Sequence, residues 1–434
     1  MQTLPSGDCT SAQMIDALIE QLPAAAQIVV PIANGEPVGM LDALEARADD
    51  LDQVRIHQMH ALRDRPYLHG AYRGRLEHVS WFLSHITRPA YRAGGCHFAP
   101  ANFSEVPQFM LTHRPYVVLA AASPPDRHGY FSLGVSADYA AALIGRVPFV
   151  LEVNPAMPDT VGANRLHRSE VAGWCEIDET PLVEVPAPTP SAADRAAAEH
   201  IADRVPDGAT IQLGIGGIPT AVAGFLHDHR DLGVHTELLS DPIVDLVEAG
   251  VVTGTRKKTH RRRIVTTFAL GTRRLYDFCD GNDAVQFLPV DEVNDPRAIG
   301  REPNFISVNA TLEVDLFGQC ASESLGSLYY SGSGGQADFA RGAQYSDGGD
   351  GFVVLHSTAK AGEISRIVPR LTAGAVVTTI KNTVDNVVTE HGVDELHGRT
   401  LSEPAEALIG VAAPEHRAWL RHQAEHMALL RSPG

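Results

Sequence analysis

Residues 209–250 read ATIQLGIGGIPTAVAGFLHDHRDLGVHTELLSDPIVDLVEAG, and this order of residue types leaves few folds open. A short β-rich apolar run, 209–213, leads into GIGGI, which has almost no side chains to hold a ligand off the backbone. Pro219 follows where a first helical turn can begin, because its missing N–H would be unpaired there anyway. Strand, glycine loop and helix start in that order leave backbone N–H groups free to meet an anion or a carbonyl. A second such unit follows at once. Residues 233–239 read as a strand, Ser240 or Asp241 as a helix cap, Pro242 as the first helical residue and Gly250 as the stop. Glu237 falls near the end of that strand, and ligands of open α/β sheets gather beyond the carboxyl ends of strands.

The rest of the chain keeps the alternation. Residues 12–22 have helical spacing, 27–33 form a buried strand and 38–48 return to helix. Strand patterns recur at 116–122, 147–153, 264–268, 285–288, 352–355 and 375–380, with a longer β run over 305–316. The spacing predicts helices at 137–143, after Ser191 and at 414–430. This is an α/β chain with mostly parallel strands and flanking helices. Residues 180–190 hold four prolines and no helical pattern, which divides the chain into an N-terminal domain, 1–185, and a C-terminal domain, 191–434. A weak echo between 116–134 and 305–326 is open to two readings, a duplicated unit or chance.

The glycine loop offers a dinucleotide fingerprint only in part, since Pro219 stands where a third glycine belongs; a loop admitting a thioester or pantetheine, or a plain tight turn, are the other readings. Glu237 lies among apolar neighbours. As a carboxylate it is ionised at neutral pH and needs no base to act as a nucleophile, provided that positioning and oxyanion donors supply the rest. The segment 331–338, SGSGGQAD, can supply such N–H donors, although serine–glycine runs also serve as connectors. The run 256–263, RKKTHRRR, either meets the phosphates of a nucleotide-bearing ligand or is a solvated connection; it has none of the interleaved aromatics of an RNA site. No serine-hydrolase elbow, P-loop or HExxH zinc motif occurs, and no metal site is expected.

A net charge of −18 over 434 residues argues against a nucleic-acid partner. Five scattered cysteines without a CxxC pair fit reduced thiols in a cytoplasm. No secretion signal or apolar run of membrane-spanning length is read, so no membrane partner is expected.

Six ordered blocks resemble the acetyl-CoA hydrolase/transferase family, and within it the 4-hydroxybutyrate (butyrate–acetate type) CoA-transferases. They are GIGGIP at 214–219, HTELLSD at 235–241, VNDP at 293–296, LEVDLFGQ at 312–319, SGSGGQ at 331–336 with Asp338-Phe339, and VTEHGV at 388–393. The motif departs from relatives in having Pro242 after Asp241. The resemblance implies a two-domain CoA-transferase fold, with an internal duplication. It implies Glu237 as the catalytic residue, passing through an acyl anhydride to a glutamyl-CoA thioester. Gly214, Ile215, Gly216, Gly217, Ile218, Leu312 and Gly335 would line the CoA site, with Gly334 and Gly335 as backbone donors. Coenzyme A is then a substrate and no cofactor is permanently bound; a homodimer or larger homo-oligomer is implied. The expected reaction is ping-pong transfer of CoA to a carboxylic acid. Acetate, butyrate, 4-hydroxybutyrate and dicarboxylates such as itaconate or succinate all stay open. Acyl-CoA hydrolysis through the same glutamate is the alternative, followed by an NAD-dependent dehydrogenase and a non-catalytic CoA sensor.

Overall fold

The computed structural model describes residues 4–431. The chain packs as two compact units that are not collinear with the sequence. The first takes the chain up to Pro186 together with Glu237–Leu239 and Val265–Val293; the second takes Ala187–Thr236, Ser240–Ile264 and the chain from Asn294 onward.

The first unit is built on an eight-stranded sheet. Its order is Ser6–Gly7, Gly173–Glu176, Phe149–Val153, Val117–Ala122, Gln27–Val29, Val54–Gln58, Leu76–Ser80, His97–Phe98. Every pairing is parallel. Growth of the sheet reverses at Gln27–Val29: later strands first add on one side out to His97–Phe98, and Val117–Ala122 then starts the other side. That reversal is a topological switch point, where crevices open at the carboxyl ends of strands. Val117–Ala122 and Phe149–Val153 are buried along their whole length, as strands covered on both faces must be. Glu152 is the charged exception, and it has a task. Its carboxylate accepts from the N–H groups of Gly39 (3.0 Å) and Met40 (2.6 Å) and from Ser11 Oγ (2.7 Å). It thereby caps the helix Val38–Ala46, whose own cap residue Pro37 offers no side-chain acceptor.

In the second unit the strand order runs Gly233–Leu239, Thr210–Leu213, Phe305–Ala310, Asp350–Val354, Asn386–Thr389, Gly392–Glu395. The last pairing is antiparallel and the others given by register are parallel. The helix Ala192–Ala202 begins at a capping box of Ser191 and Asp194. The helix Asp241–Glu248 starts after Ser240, with Pro242 in its first turn, and the C-terminal helix Pro414–His426 buries Leu420 and Ala424. The β run at 305–316 is two strands, Phe305–Ala310 and Glu313–Asp315. The strand expected at 375–380 does not form. Only Thr379 makes a bridge, to Cys320, while Val377 and Ile380 stay exposed, so the apolar run has no ladder to join.

The two sheets repeat one another in detail. In the first, Ile28 and Val29 stand level with Ile56 and His57 on one side and with Val117 and Val118 on the other. In the second, Thr210 and Ile211 stand level with Gly233 and Val234, and with Phe305 and Ile306. Each central strand then runs, over the same number of residues, into a loop carrying a proline: ANGEP at 33–37 and IGGIP at 215–219. The next register also agrees, Val118 with Phe149 in one sheet and Ile306 with Asp350 in the other. The fold is an α/β duplication.

Candidate functional site

The glycine loop follows Thr210–Leu213 and opens the helix Gly217–Phe225. Gly214 N–H is bonded to Val308 O at 3.2 Å, which ties the loop to the neighbouring strand. Ile215 is 63% exposed, an apolar side chain turned to solvent beside the loop. Gly216 caps the helix at φ +124°, a backbone that only glycine adopts without strain. Pro219 is the third helical residue rather than the first, still within the turn whose N–H groups are unpaired. Ile218 is buried. Gly217 is required for space: a Cβ there would lie 2.5 Å from Asp194 Oδ2. Asp194 cannot yield easily, because Ser191 Oγ (2.7 Å), Ser191 N–H (2.8 Å) and His356 Nε2 (2.9 Å) all hold it. Burial raises its carboxyl, but the hydrogen bonds from Ser191 and His356 outweigh that and leave it below its usual range.

Leu312 is half-buried just beyond Phe305–Ala310, the strand next to Thr210–Leu213, with its N–H on Ala321 O at 3.1 Å. The serine–glycine segment is packed, not a connector. Gly334 takes φ +56° and Gly335 caps the helix Gln336–Tyr345. This helix lies in the crossover between the parallel strands Phe305–Ala310 and Asp350–Val354, so it begins at their carboxyl edge. The second unit thus sets two glycine-led helix starts and Leu312 at one edge of its sheet. Ser333 Oγ donates to Glu323 (3.2 Å to one oxygen), and Thr378 Oγ1 donates to the same carboxylate at 3.0 Å. Burial pushes the Glu323 carboxyl up, and these two donors offset it only in part.

Glu237 is the fifth residue of Gly233–Leu239, half-buried, and its carbonyl accepts from Thr266 Oγ1 at 3.1 Å. Glu237 packs with the first unit, whereas both glycine loops belong to the second. His235 is buried, edge-on to Phe305 (centroids 6.1 Å) and to Phe339 (6.5 Å), rings that stack on each other. The basic run is not a uniform solvated patch. Lys257 is 3% exposed, its stem lies against Gly233, and its ammonium donates to Val234 O at 2.9 Å. Burial lowers its pKa to about 8, against the pull of Glu302. Buried Glu302 accepts from the N–H groups of Lys258 (2.7 Å) and Thr259 (3.0 Å). Only Arg256, Lys258, His260, Arg261 and Arg262 of the run are exposed.

Sequence reasoning missed Asp194, His356, Glu323 and Lys257, whose partners lie far along the chain. A further carboxylate, Glu390 of the VTEHGV block, accepts from Ser357 N–H (2.9 Å) and Ser357 Oγ (2.6 Å). No group of three or more His, Cys, Asp or Glu side chains poised for a metal occurs among the described residues, and no helix among them is long and apolar enough to cross a membrane.

The doubled parallel-sheet architecture and its glycine-led helix starts make an α/β protein with ligand-accessible backbone at the carboxyl edge of a sheet. The chain belongs to the acetyl-CoA hydrolase/transferase family: residues 16–184 match its N-terminal domain and 271–424 its C-terminal domain. Glu237 and the loop 214–218 fall between those matches. The chain is 46% identical to succinyl-CoA:cyclohexane-1-carboxylate CoA transferase of Geobacter metallireducens, over 92% of this chain and 91% of that one. It is 41% identical to 4-hydroxybutyrate coenzyme A transferase of Clostridium kluyveri, over 92% and 93%. Among solved structures, RipA from Yersinia pestis superposes with a TM-score of 0.91 at 35% identity, covering 97% of this chain and 98% of that one.

Proposed function

We propose that this enzyme moves CoA between an acyl-CoA and a short-chain carboxylic acid by a ping-pong route through Glu237. The observation that carries this reading is the placement of Glu237: a half-buried carboxylate near the carboxyl end of a parallel strand, in a chain of this family. The Glu237 carboxylate attacks the acyl-CoA carbonyl, the carbon–sulfur bond breaks, and CoA thiolate leaves an acyl–glutamyl anhydride. The thiolate then attacks the glutamyl carbonyl, expelling the acid as its carboxylate and leaving a glutamyl-CoA thioester. An acceptor carboxylate reverses both steps. Each addition creates an oxyanion, and helix-start N–H groups such as those at Gly334 and Gly335 suit it. Gly214, Ile215, Gly216, Gly217, Ile218 and Leu312 accommodate the CoA chain, and residues 1–185 supply the acid side. The named relatives are called succinyl-CoA:cyclohexane-1-carboxylate and 4-hydroxybutyrate CoA transferases, and a carboxylic acid as the acceptor is consistent with them. The enzyme works as a homodimer or larger assembly in the cytoplasm, with no permanently bound cofactor.

Incubation with acyl-CoA and no acceptor should add CoA to the peptide containing Glu237, in a form that borohydride reduces. Glu237→Ala should lose both the adduct and turnover. An adduct on another residue, or undiminished turnover in the variant, ends the assignment.

A further inference from the structure

The VTEHGV block at 388–393 has no step in the route through Glu237, and its geometry is unusually well fixed. Thr389 and Gly392 are the last paired residues of an antiparallel hairpin, so Glu390 and His391 form its two-residue loop. A turn that short leaves the Glu390 carboxylate little choice of direction. Thr389 fastens it further: its hydroxyl donates to Val411 O at 2.6 Å and accepts from His391 N–H at 3.0 Å. Asn386–Thr389 runs parallel to Asp350–Val354, that strand to Phe305–Ala310, and that one to Thr210–Leu213. The hairpin loop, residues 355–357 and the glycine loop 214–218 therefore stand along one carboxyl edge of the second unit's sheet.

Contacts run along that edge without a break. One Glu390 oxygen accepts from Ser357 N–H at 2.9 Å and the other from Ser357 Oγ at 2.6 Å. Burial raises the Glu390 carboxyl, but these two donors outweigh it and leave it below its usual range, so it is ionised at neutral pH. The adjoining His356 donates through Nε2 to Asp194 Oδ1 at 2.9 Å. Asp194 Oδ2 in turn lies 2.5 Å from where a Cβ of Gly217 would be, directly under the glycine loop. Two consecutive residues are thus each gripped by a carboxylate, one from the hairpin and one from below the loop. The strand end does not need this grip for pairing, since Leu355 N–H already meets Val388 O at 3.0 Å.

We infer that Glu390 is a positioning residue for the acyl-CoA site: by holding Ser357 it sets His356 against Asp194, and Asp194 sets where the glycine loop rests. This rests on the CoA-transferase reading above. Gly216 and Gly217 have no side chains with which to anchor the loop, so its N–H groups lie where Asp194 lets them. A small shift of Asp194 misplaces those groups against CoA and leaves Glu237 on its own strand. The effect therefore falls on the binding of the CoA thioester rather than on the chemical step.

The test measures the KM for acyl-CoA, the KM for the acceptor acid, kcat and the melting temperature. It compares the wild type, Glu390→Gln, Ser357→Ala, His356→Ala and the double variant of Glu390→Gln with His356→Ala. Glutamine keeps one acceptor oxygen and loses the charge; Ser357→Ala removes one donor, keeps the N–H, and serves if Glu390→Gln does not fold. Glu390→Gln should raise the KM for acyl-CoA about tenfold, the worth of one hydrogen bond to a charged group, and Ser357→Ala should raise it less. The acceptor KM and kcat should change by less than about twofold. Because Glu390 and His356 act through one series of contacts, the double variant should be no worse than the poorer single variant. An acyl-CoA KM unmoved in Glu390→Gln, or in Ser357→Ala should the first not fold, overturns the inference, even where the melting temperature falls. Losses that simply add in the double variant, or a fall in kcat at constant KM, overturn it as well. A wild type that neither binds CoA nor exchanges acids would instead bring down the transferase reading, and this inference with it.

Discussion

The ammonium of Lys257 donates to the carbonyl of Val234 at 2.9 Å, three residues before Glu237 on the same strand. A buried lysine at that place is charged at neutral pH at a cost, since its pKa is lowered to about 8 from 10.5 by burial. The unfolded chain holds this proton up to about pH 10.5 and the folded chain releases it near 8, so the unfolded state binds more protons between those values. Stability contributed by this group therefore rises with pH across that window, and the full penalty is present below it. Against Lys257→Met, the wild type should gain on the order of 3 kcal/mol at most between pH 8 and 10.5. Urea unfolding of both proteins across that range checks it; parallel curves would show that Lys257 keeps its proton.

A second prediction concerns the floor of the glycine loop. Gly217→Ala should destabilise the protein by about 1–3 kcal/mol, because the new methyl meets a carboxylate that three hydrogen bonds hold in place. It should also raise the KM for acyl-CoA. Asp194→Ala alone loses a helix cap, worth about 1 kcal/mol. The double variant should be more stable than the sum of the two losses implies, and a double-mutant cycle measures this. Strict additivity would mean that the loop moves away from Asp194 freely.

The exposed part of the basic run makes a third. Arg256 is mostly solvent-exposed and 3.7 Å from Asp231, and Arg262 is exposed. Neutralising both should raise the KM for CoA thioesters and flatten its salt dependence, with little change for donors lacking the nucleotide. The same pair should not matter for nucleic acid. Tight RNA or DNA binding at ~150 mM salt, lost in the double variant, would contradict this.

Local signals in the sequence were reliable where the cause is local. Pro242 and Gly250 frame the helix Asp241–Glu248, because proline geometry and a left-handed glycine involve only neighbouring residues; Ser240 holds the cap position without a side-chain bond to the helix. The helix Gln336–Tyr345 was hidden by the glycines before it, since Gly335 gives no side-chain cap to read. Residues 375–380 show the converse: apolar alternation promises a strand only if a neighbour is there to pair with. Lys257 under Gly233, Asp194 under Gly217 and Glu323 between Ser333 and Thr378 join positions 10 to 55 residues apart. No periodicity encodes such pairs, and the substitution of a side-chain atom for an absent Cβ is visible only in three dimensions.

Transfer, not hydrolysis, should be the main activity. The outcome depends on what attacks the glutamyl-CoA thioester once the first acid leaves, and water is far more abundant than any acceptor. Transfer wins only if the site is dry and the acceptor carboxylate is held in line with the carbonyl. His235, two residues before Glu237, was the side chain best placed in sequence to activate a water. It is instead 3% exposed, wedged edge-on against Phe305 and Phe339, where it acts as part of the packing of Gln336–Tyr345 on the sheet. His235→Ala should therefore cost stability, as a vacated aromatic site does, without raising or lowering the ratio of hydrolysis to transfer. Initial rates with varied acyl-CoA and varied acceptor should give parallel double-reciprocal lines, and thiol release without acceptor should be about a hundredfold slower than transfer, or slower still, a difference of roughly 2.7 kcal/mol in barrier. Steady thiol release indifferent to added carboxylate, and lost in His235→Ala, would make this enzyme a hydrolase and His235 its base.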